Sequence, residues 1–503
     1  MSQSWSAGYV TDIAYIEGFY VQQAPIRMAL AGLLGNVAVD LPQPDDEACY
    51  VELGCGVGIG ALLIAASNPR WKVVAIDYNP AHIAIANGLA RNARIGNIEF
   101  LEADLAELAD SAVGAAIPTA DFVSMHGLWS WVSPAVRTGI VRFLARKTRP
   151  GALVHISYNA LPAWQGGIAL QRIVYEAGMR AGGRSDKRAD AGMALARDLK
   201  QAEARYFTES SLTRELLDSI QGMSREYLSH EYMNSHWSPA FHADVVAAMA
   251  EAKLDWAASA NPLENFPELL LTIEQRKLMD RYSDPVMREL IKDSCLQRPL
   301  RHDVYVRGAR RIGNAERDAA IARLTLTPVV PPEELETTLH VPVGTAEMSD
   351  ALKKIMTAAV RGPATIADLL ALEPEHSNAP EVVGVLVGTH QCQVALRADG
   401  EQPDCANRLN RLLASRIKSV ADARTSGLAC ARLGTGLTAP PILQFIAGRL
   451  LAGDTEANAE DWLETLRPTI RPEKLDTVRK VIHTTVEQRV PILRQLQIVP
   501  ELN

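Results

Sequence analysis

The chain has 503 residues, 48% of them hydrophobic and 22% charged, with a formal net charge of -8. Such a length exceeds what one hydrophobic core supports and implies about three domains, and the composition is that of a folded globular chain, which excludes disorder as the bulk state. A mildly acidic balance argues against a general polyanion binder, because affinity for nucleic acid rests on Lys and Arg neutralising phosphates, so no nucleic-acid partner is expected.

Six cysteines, Cys49, Cys55, Cys295, Cys392, Cys405 and Cys430, are scattered without a CxxC pair. Neither a zinc knuckle nor a disulfide framework is expected from them. His390 beside Cys392 is too small a set for a metal site, and no metal is expected. No apolar run approaches the roughly 18 residues that span a bilayer, and the first residues lack a basic region followed by an apolar core. The reading is therefore no membrane insertion and a reduced, cytoplasmic location.

Along the chain, residues 48–53 form an apolar run that ends in glycines, residues 61–66 read as a helix, and residues 72–76 are the next apolar run. The pattern continues with a helix over 81–93, strands at 97–101 and 120–125, a helix over 135–147 and a fifth strand at 152–158. Alternating β and α elements imply a parallel sheet with helices on both faces. Residues 1–165 are thus expected to form a nucleotide-binding, Rossmann-like domain, and 166–222, helical and charged, an inserted lobe. Residues 223–262 are expected to supply the last strands of the sheet, one of them at 226–232, with a separate small domain as the alternative. Residues 263–335 read as a helical middle domain ending in a linker at Thr327-Pro328-Val329-Val330-Pro331-Pro332, since consecutive prolines favour extended backbone. Residues 336–503 read as mostly helical and winged-helix-like, from three short helices near 351–359, 365–371 and 379–387 followed by a strand near 394–396.

The run Glu52-Leu53-Gly54-Cys55-Gly56-Val57-Gly58-Ile59-Gly60 lies between a strand and a helix, where glycines permit a tight turn and close approach of a ligand to the backbone. Asp77, followed by Tyr78 and Asn79, closes the second strand, placed where a carboxylate accepts ribose hydroxyls. Asp104, followed by Leu105, comes after the third strand and suits a hydrogen bond to an adenine amino group. Glu52, Gly54, Gly56, Gly58, Asp77, Tyr78, Asn79, Asp104 and Leu105 are the candidate cofactor residues. A doubly wound fold that binds another nucleotide is the competing account.

The spacing GxGxGxG with a glutamate at the strand end resembles the loop of class I S-adenosylmethionine-dependent methyltransferases. More of the chain points the same way. Residues 121–133, Asp-Phe-Val-Ser-Met-His-Gly-Leu-Trp-Ser-Trp-Val-Ser, and 157–164, Ser-Tyr-Asn-Ala-Leu-Pro-Ala-Trp, resemble bacterial methyltransferases with a methyltransferase regulatory domain. Residues 8–12, 15–20, 228–234 and 301–304 carry the resemblance further. That group includes the protein lysine methyltransferases that modify bacterial outer-membrane proteins. The resemblance implies a Rossmann-like α/β fold, S-adenosyl-L-methionine as methyl donor with S-adenosyl-L-homocysteine as product, a lobe used for homodimerisation, and a protein lysine as acceptor. Two departures, Gln22-Gln23-Ala24-Pro25 for Gln-Thr-His-Pro and Arg301-His302-Asp303 for Arg-Arg-Asp, lie outside the cofactor loop and bear on the acceptor.

Methyl transfer from an activated donor asks the protein to align two reactants and exclude water. A lysine acceptor must also be neutral, which costs roughly 4–5 kcal/mol at pH 7 from an unperturbed pKa of about 10.4. His126, Trp129, Trp131, Tyr158 and Asn159 follow strand ends on the edge where α/β sheets bind ligands, and are the candidate catalytic residues. Aromatic faces attract cations, although the same aromatics could simply pack the loop against the lobe, as Trp164 would. Tyr15 and Tyr20 are candidates to fold over the cofactor from the N-terminal arm, with His126 as a further cofactor contact. His230 and Glu231 read as satisfying buried polar groups, and Arg301 with Asp303 as an ion pair. The chain lacks the Asn/Asp-Pro-Pro-Tyr run that accompanies methylation of adenine amino groups or glutamine amides. The expected activity is protein lysine N-methylation, and a small-molecule or biosynthetic-intermediate methyltransferase is the alternative. A DNA-contacting regulator is disfavoured, because residues 379–386 contain no Lys or Arg.

Overall fold

The apolar runs of the first third become adjacent strands of one sheet. In the computed structural model, which describes residues 8–13, 17–41, 46–397, 399–417, 419 and 425–501, this sheet comprises β1 (Cys49–Leu53), β2 (Lys72–Asp77), β3 (Ile98–Glu102), β4 (Ala120–Met125), β5 (Thr148–Asn159), β6 (Leu254–Ser259) and β7 (Leu300–Arg307). Their spatial order is β3-β2-β1-β4-β5-β7-β6. β3 through β5 pair in parallel, while β7 runs antiparallel to both β5 and β6. Strand order reverses between β1 and β4, and a crevice opens there beyond the carboxyl ends of the strands. β1 is buried along its whole length, as expected of a strand covered by helices on both faces.

The sheet is completed differently from the sequence expectation. Residues 226–232 do not form a strand: Arg225–Tyr232 is a helix, capped by Ser224, whose Oγ accepts from the Tyr227 amide at 3.3 Å. The strand next to β5 is instead β7, drawn from the basic stretch near residue 300. Its charges hide it from a search for apolar runs, because they are paired inside the protein. Arg301, fully buried, donates to Asp293 at 2.7 Å, Glu289 at 2.8 Å and Asp303 at 2.8 Å. Glu289 and Asp293 lie on the helix Pro285–Leu296, which packs against the helix His242–Ala250. Residues 263–299 therefore belong to the body of this domain.

The inserted lobe holds the helices Gln165–Ala181, Ser185–Gln201, Arg205–Thr208 and Ser211–Ser219 around Leu170, Val174, Met193, Phe207 and Leu217. Downstream, β8 (Thr325–Pro328), β9 (Thr338–Val341) and β10 (Gly344–Glu347) precede three short helices, Asp350–Ala359, Ile366–Leu370 and Ala379–Gly388. β11 (Ala364–Thr365) and β12 (Cys392–Val394) flank β8 in a small antiparallel sheet. Thr327 and Pro328 thus lie in a strand and not in a linker. Pro328 is tolerated at the strand end, where no amide is needed from it. β13 (Ser426–Cys430) and β14 (Thr435–Ala439) form a hairpin ahead of the final helices, which close around Trp462.

The C-terminal third is bound closely to the sheet domain. The helix Asp404–Ser415 lays Ala406, Leu409 and Leu413 on the helices Ile59–Ser67 and Pro80–Ala93. Asn68 donates to the Gly434 carbonyl at 2.8 Å, and Ser67 Oγ accepts from the Cys430 amide at 3.1 Å. The helix Pro25–Leu34 is buried on every side. Met28 and Ala29 face the main sheet, while Ile26, Leu30 and Leu33 join the core under β8.

Replacing Arg301 leaves three carboxylates buried without their shared cation. Arg301→Ala is expected to cost about 3–5 kcal/mol, read as a lower midpoint in chemical denaturation followed by circular dichroism.

Candidate functional site

A cavity of about 460 Å³ occupies the crevice at the carboxyl ends of β1, β2 and β4. Its floor is the glycine loop. Gly54, Gly56 and Gly58 all adopt positive φ, from 55° to 75°, a region that costs L side chains about 1–2 kcal/mol. A Cβ on Gly58 would also meet the Phe100 ring at 2.4 Å. The amides of Gly54 and Cys55 both donate to the Ile76 carbonyl, at 2.8 and 3.0 Å, which ties the loop to β2. Gly54 and Gly56 line the cavity; Gly58 lies behind them, opening the helix Ile59–Ser67.

Asp77 ends β2 with its carboxylate on the cavity wall. It accepts from the Gly56 amide at 2.8 Å, the Asn79 amide at 2.9 Å and His82 Nδ1 at 3.2 Å. Oδ1 takes two of these bonds and Oδ2 one, so Oδ2 retains lone-pair capacity for a hydroxyl. Asn79 caps the helix Pro80–Ala93, accepting from the Ala81 amide at 2.9 Å. Asp104 is fixed by the Ala106 amide at 2.8 Å. Tyr78, Asn79, Asp104 and Leu105 all line the same cavity, with Leu128, Val132 and Val136 supplying apolar wall. A cradle of backbone, two carboxylates and an apolar slot fits a nucleoside that carries a cationic tail.

Glu52 has another place. It lies 5% exposed beneath the loop and receives Gln23 Nε2 at 3.3 Å. Burial raises its carboxyl to about 7, against the lowering effect of that amide. It supports the loop from below without reaching the cavity.

Of the candidate catalytic residues, His126 and Trp131 line the cavity. The Tyr20 ring stacks on His126 with centroids 3.6 Å apart, so this tyrosine covers the histidine from the N-terminal side. Tyr15 falls outside the described residues. Burial and the neighbouring His302 hold the His126 imidazole well below its ordinary pKa. Trp131 lies 6.1 Å from Trp237, against whose ring Trp164 packs edge-on at 5.3 Å. Trp129, in contrast, is 3% exposed and packs in the core with the Arg137 guanidinium 5.5 Å above its ring. Tyr158 points to the opposite sheet face from Ser157, as strand alternation requires. There it donates to Asp303 at 2.6 Å, 1% exposed. The Asn159 amide donates to Ser130 Oγ at 2.8 Å, holding β5 to the loop after β4. Neither Tyr158 nor Asn159 borders the cavity.

Tyr9, Thr11, His82, His230, Glu231, Asn234 and His236 also line the cavity, and none was among the candidate site residues. The signal for His230 and Glu231 was helical periodicity: they recur with Tyr227 at the three- and four-residue spacing of one helix face, which a strand reading conceals. Burial lifts the Glu231 carboxyl to about 7, with Tyr227 as its hydrogen-bond donor. Among the described residues that line the cavity there is no Lys or Arg.

Comparison with known proteins agrees with this geometry. Residues 51–151 match the family model described as "Methyltransferase domain", and residues 224–307 the one described as "Predicted methyltransferase regulatory domain". An uncharacterized protein of Synechocystis is 29% identical over 73% of this chain and 71% of its own length. A release factor glutamine methyltransferase of Aliivibrio fischeri is 32% identical over 18% of this chain and 34% of its own. The structure of PKMT2 from Rickettsia typhi in complex with AdoHcy superposes with a TM-score of 0.67 over 96% of this chain and 99% of that one. At 15% identity, that is a likeness of fold. The chain is a class I S-adenosylmethionine-dependent methyltransferase with a methyltransferase regulatory domain. No helix among the described residues is long and apolar enough to cross a membrane.

Asp77→Ala removes a carboxylate acceptor from the cavity wall and frees the Gly56 amide. Affinity for S-adenosylhomocysteine is expected to fall about ten- to hundredfold, the equivalent of about 1.5–3 kcal/mol, as measured by calorimetric titration.

Proposed function

We propose that this enzyme methylates the side-chain amine of lysine in a protein, and that Glu231 receives the proton the amine must lose. The observation that carries this reading is the composition of the cavity wall. Trp131, His230, Glu231 and His236 line it together with Asp77 and Asp104, with no lysine or arginine among the described lining residues. Such a wall favours a cationic acceptor over a carboxylate or phosphate, through aromatic faces and an uncompensated carboxylate. The likeness in fold to PKMT2 supports the same direction.

When bound, S-adenosylmethionine supplies the methyl group in activated, sulfonium form. Asp77, Asp104 and the glycine loop hold the donor, and Leu105, Leu128, Val132 and Val136 exclude water around it. The 225–236 segment forms the wall on the regulatory-domain side. Glu231 is poised near neutrality: it is ionised above about pH 7 and can then accept a proton from an ammonium held beside it. The titratable groups that face it are Tyr227 and Tyr232, with His230 and His236 in the same wall.

Labelled methyl transfer from S-adenosylmethionine into the protein fraction of a cell extract, and recovery of methyl-lysine on hydrolysis, is the expected result. Label confined to the small-metabolite fraction overturns the reading. In the wild type, the rate is expected to climb through pH 7 as Glu231 ionises. Glu231→Gln is expected to lose that inflection and to lower kcat about a hundredfold, with affinity for S-adenosylhomocysteine unchanged; an unaltered pH profile would remove Glu231 from the role.

A further inference from the structure

Three histidines, one just past the end of β4 and one each in β5 and β7, meet at the edge of the cavity. In the sheet register, His155 of β5 is opposite Ser124 of β4, and Ser157 of β5 is opposite His302 of β7. Strand alternation therefore puts Ser124, His155, Ser157 and His302 on one sheet face, and His126 emerges on that face just past the end of β4. One ring nitrogen of each of His126, His155 and His302 lies within 4.8 Å of the other two. His155 Nε2 and His302 Nδ1 are 3.1 Å apart.

The outer nitrogens are held separately. His155 Nδ1 is 3.1 Å from Ser124 Oγ, and His126 Nδ1 is 3.1 Å from Ser157 Oγ. Ser157 Oγ itself receives the Gly127 amide at 2.8 Å, and Ser124 Oγ receives Gln23 Nε2 at 3.1 Å. Each serine is fixed, so two of the rings are fixed with their Nε2 edges turned away from the anchors. The three ring planes lie within 7° to 19° of one another, with centroids 5.4, 5.4 and 6.3 Å apart.

We propose that His126, His155 and His302 form a binding site for a divalent transition-metal ion of the zinc class. Metal-bound imidazoles have the second ring nitrogen engaged by a hydrogen-bonding partner, which is the role the two serines fill here. Bonds of about 2.0–2.1 Å in a tetrahedral site place neighbouring nitrogens roughly 3.3 Å apart, close to the separation of the His155 and His302 nitrogens. Three imidazoles with no thiolate select for Zn²⁺ and its neighbours over Mg²⁺ or Ca²⁺. Asp303 does not complete the set, because it lies on the other sheet face in the grip of Arg301. A tetrahedral ion held by these three would have one position left for another ligand, and His126 borders the cavity. The ion would join β4, β5 and β7, clasping the parallel half of the sheet to its antiparallel completion.

The test uses the full chain, stripped with a chelator, loaded with Zn²⁺ and dialysed. Expected are about one retained ion per chain, a melting temperature that rises on loading, and loss of both effects in His155→Gln and His302→Gln. Zinc that is not retained by the wild type, or is retained equally by both variants, overturns the proposal. Should the variants fail to fold, Co²⁺ in the wild-type protein decides. Paramagnetically shifted ring resonances from three histidines uphold the site, and fewer than three dismiss it. None of these readouts depends on the methyl acceptor.

Discussion

A charged strand in the interior of a sheet needs every charge answered, and β7 is such a strand. Arg301 has no exposure to solvent, so the protein has to bring acids to it. Asp303 comes from two positions along the same strand, and Glu289 and Asp293 from the helix Pro285–Leu296. That helix therefore has to dock on one sheet face, and it carries the helix His242–Ala250 with it. His242 then meets Asp303 at 3.1 Å and Tyr158 at 3.3 Å. The segment matched as a regulatory domain is thus woven into the catalytic sheet by its own ion pairs. Its first helix, Arg225–Tyr232, forms part of the wall of the cavity as a result.

The pleat sorts the remaining chemistry. On the face toward Gln23 and the helix Pro25–Leu34 lie Glu52, Ser124, His155, Ser157 and His302, joined by neutral hydrogen bonds. On the opposite face lie Tyr158, Arg301 and Asp303, joined by charge. A one-residue shift in the pairing of β5 with β7 would exchange the two sets and leave both unsatisfied. Register here is held by polar complementarity as much as by apolar packing.

The cofactor half was legible because its signals are local: a buried apolar strand, glycines where φ must be positive, and a carboxylate at each of two strand ends. Asp77 and Asp104 are brought to one cavity with the loop, as the spacing of strand ends suggested. Trp129, Tyr158 and Asn159 show the limit of that argument. Proximity to a strand end does not say which way a side chain points, and alternation turns Tyr158 away. The completion of the sheet was less legible, since β7 derives its burial from partners as far as 145 residues away in sequence and its composition resembles surface. β8 was obscured by its proline and by the two that follow it at 331 and 332. The histidine cluster has no sequence signature at all, because its members are separated by whole strands and meet only through register.

The helix Pro25–Leu34 joins the two halves of the molecule. Most buried helices keep one polar stripe where they meet solvent, but here nine of the ten residues are buried, the single arginine included. Two independently packed cores share it, so its sequence answers to both at once. A substitution that one core would accommodate by shifting the helix is blocked by the other. The two cores are thereby coupled: a change in the packing of either is felt by the other through this one helix.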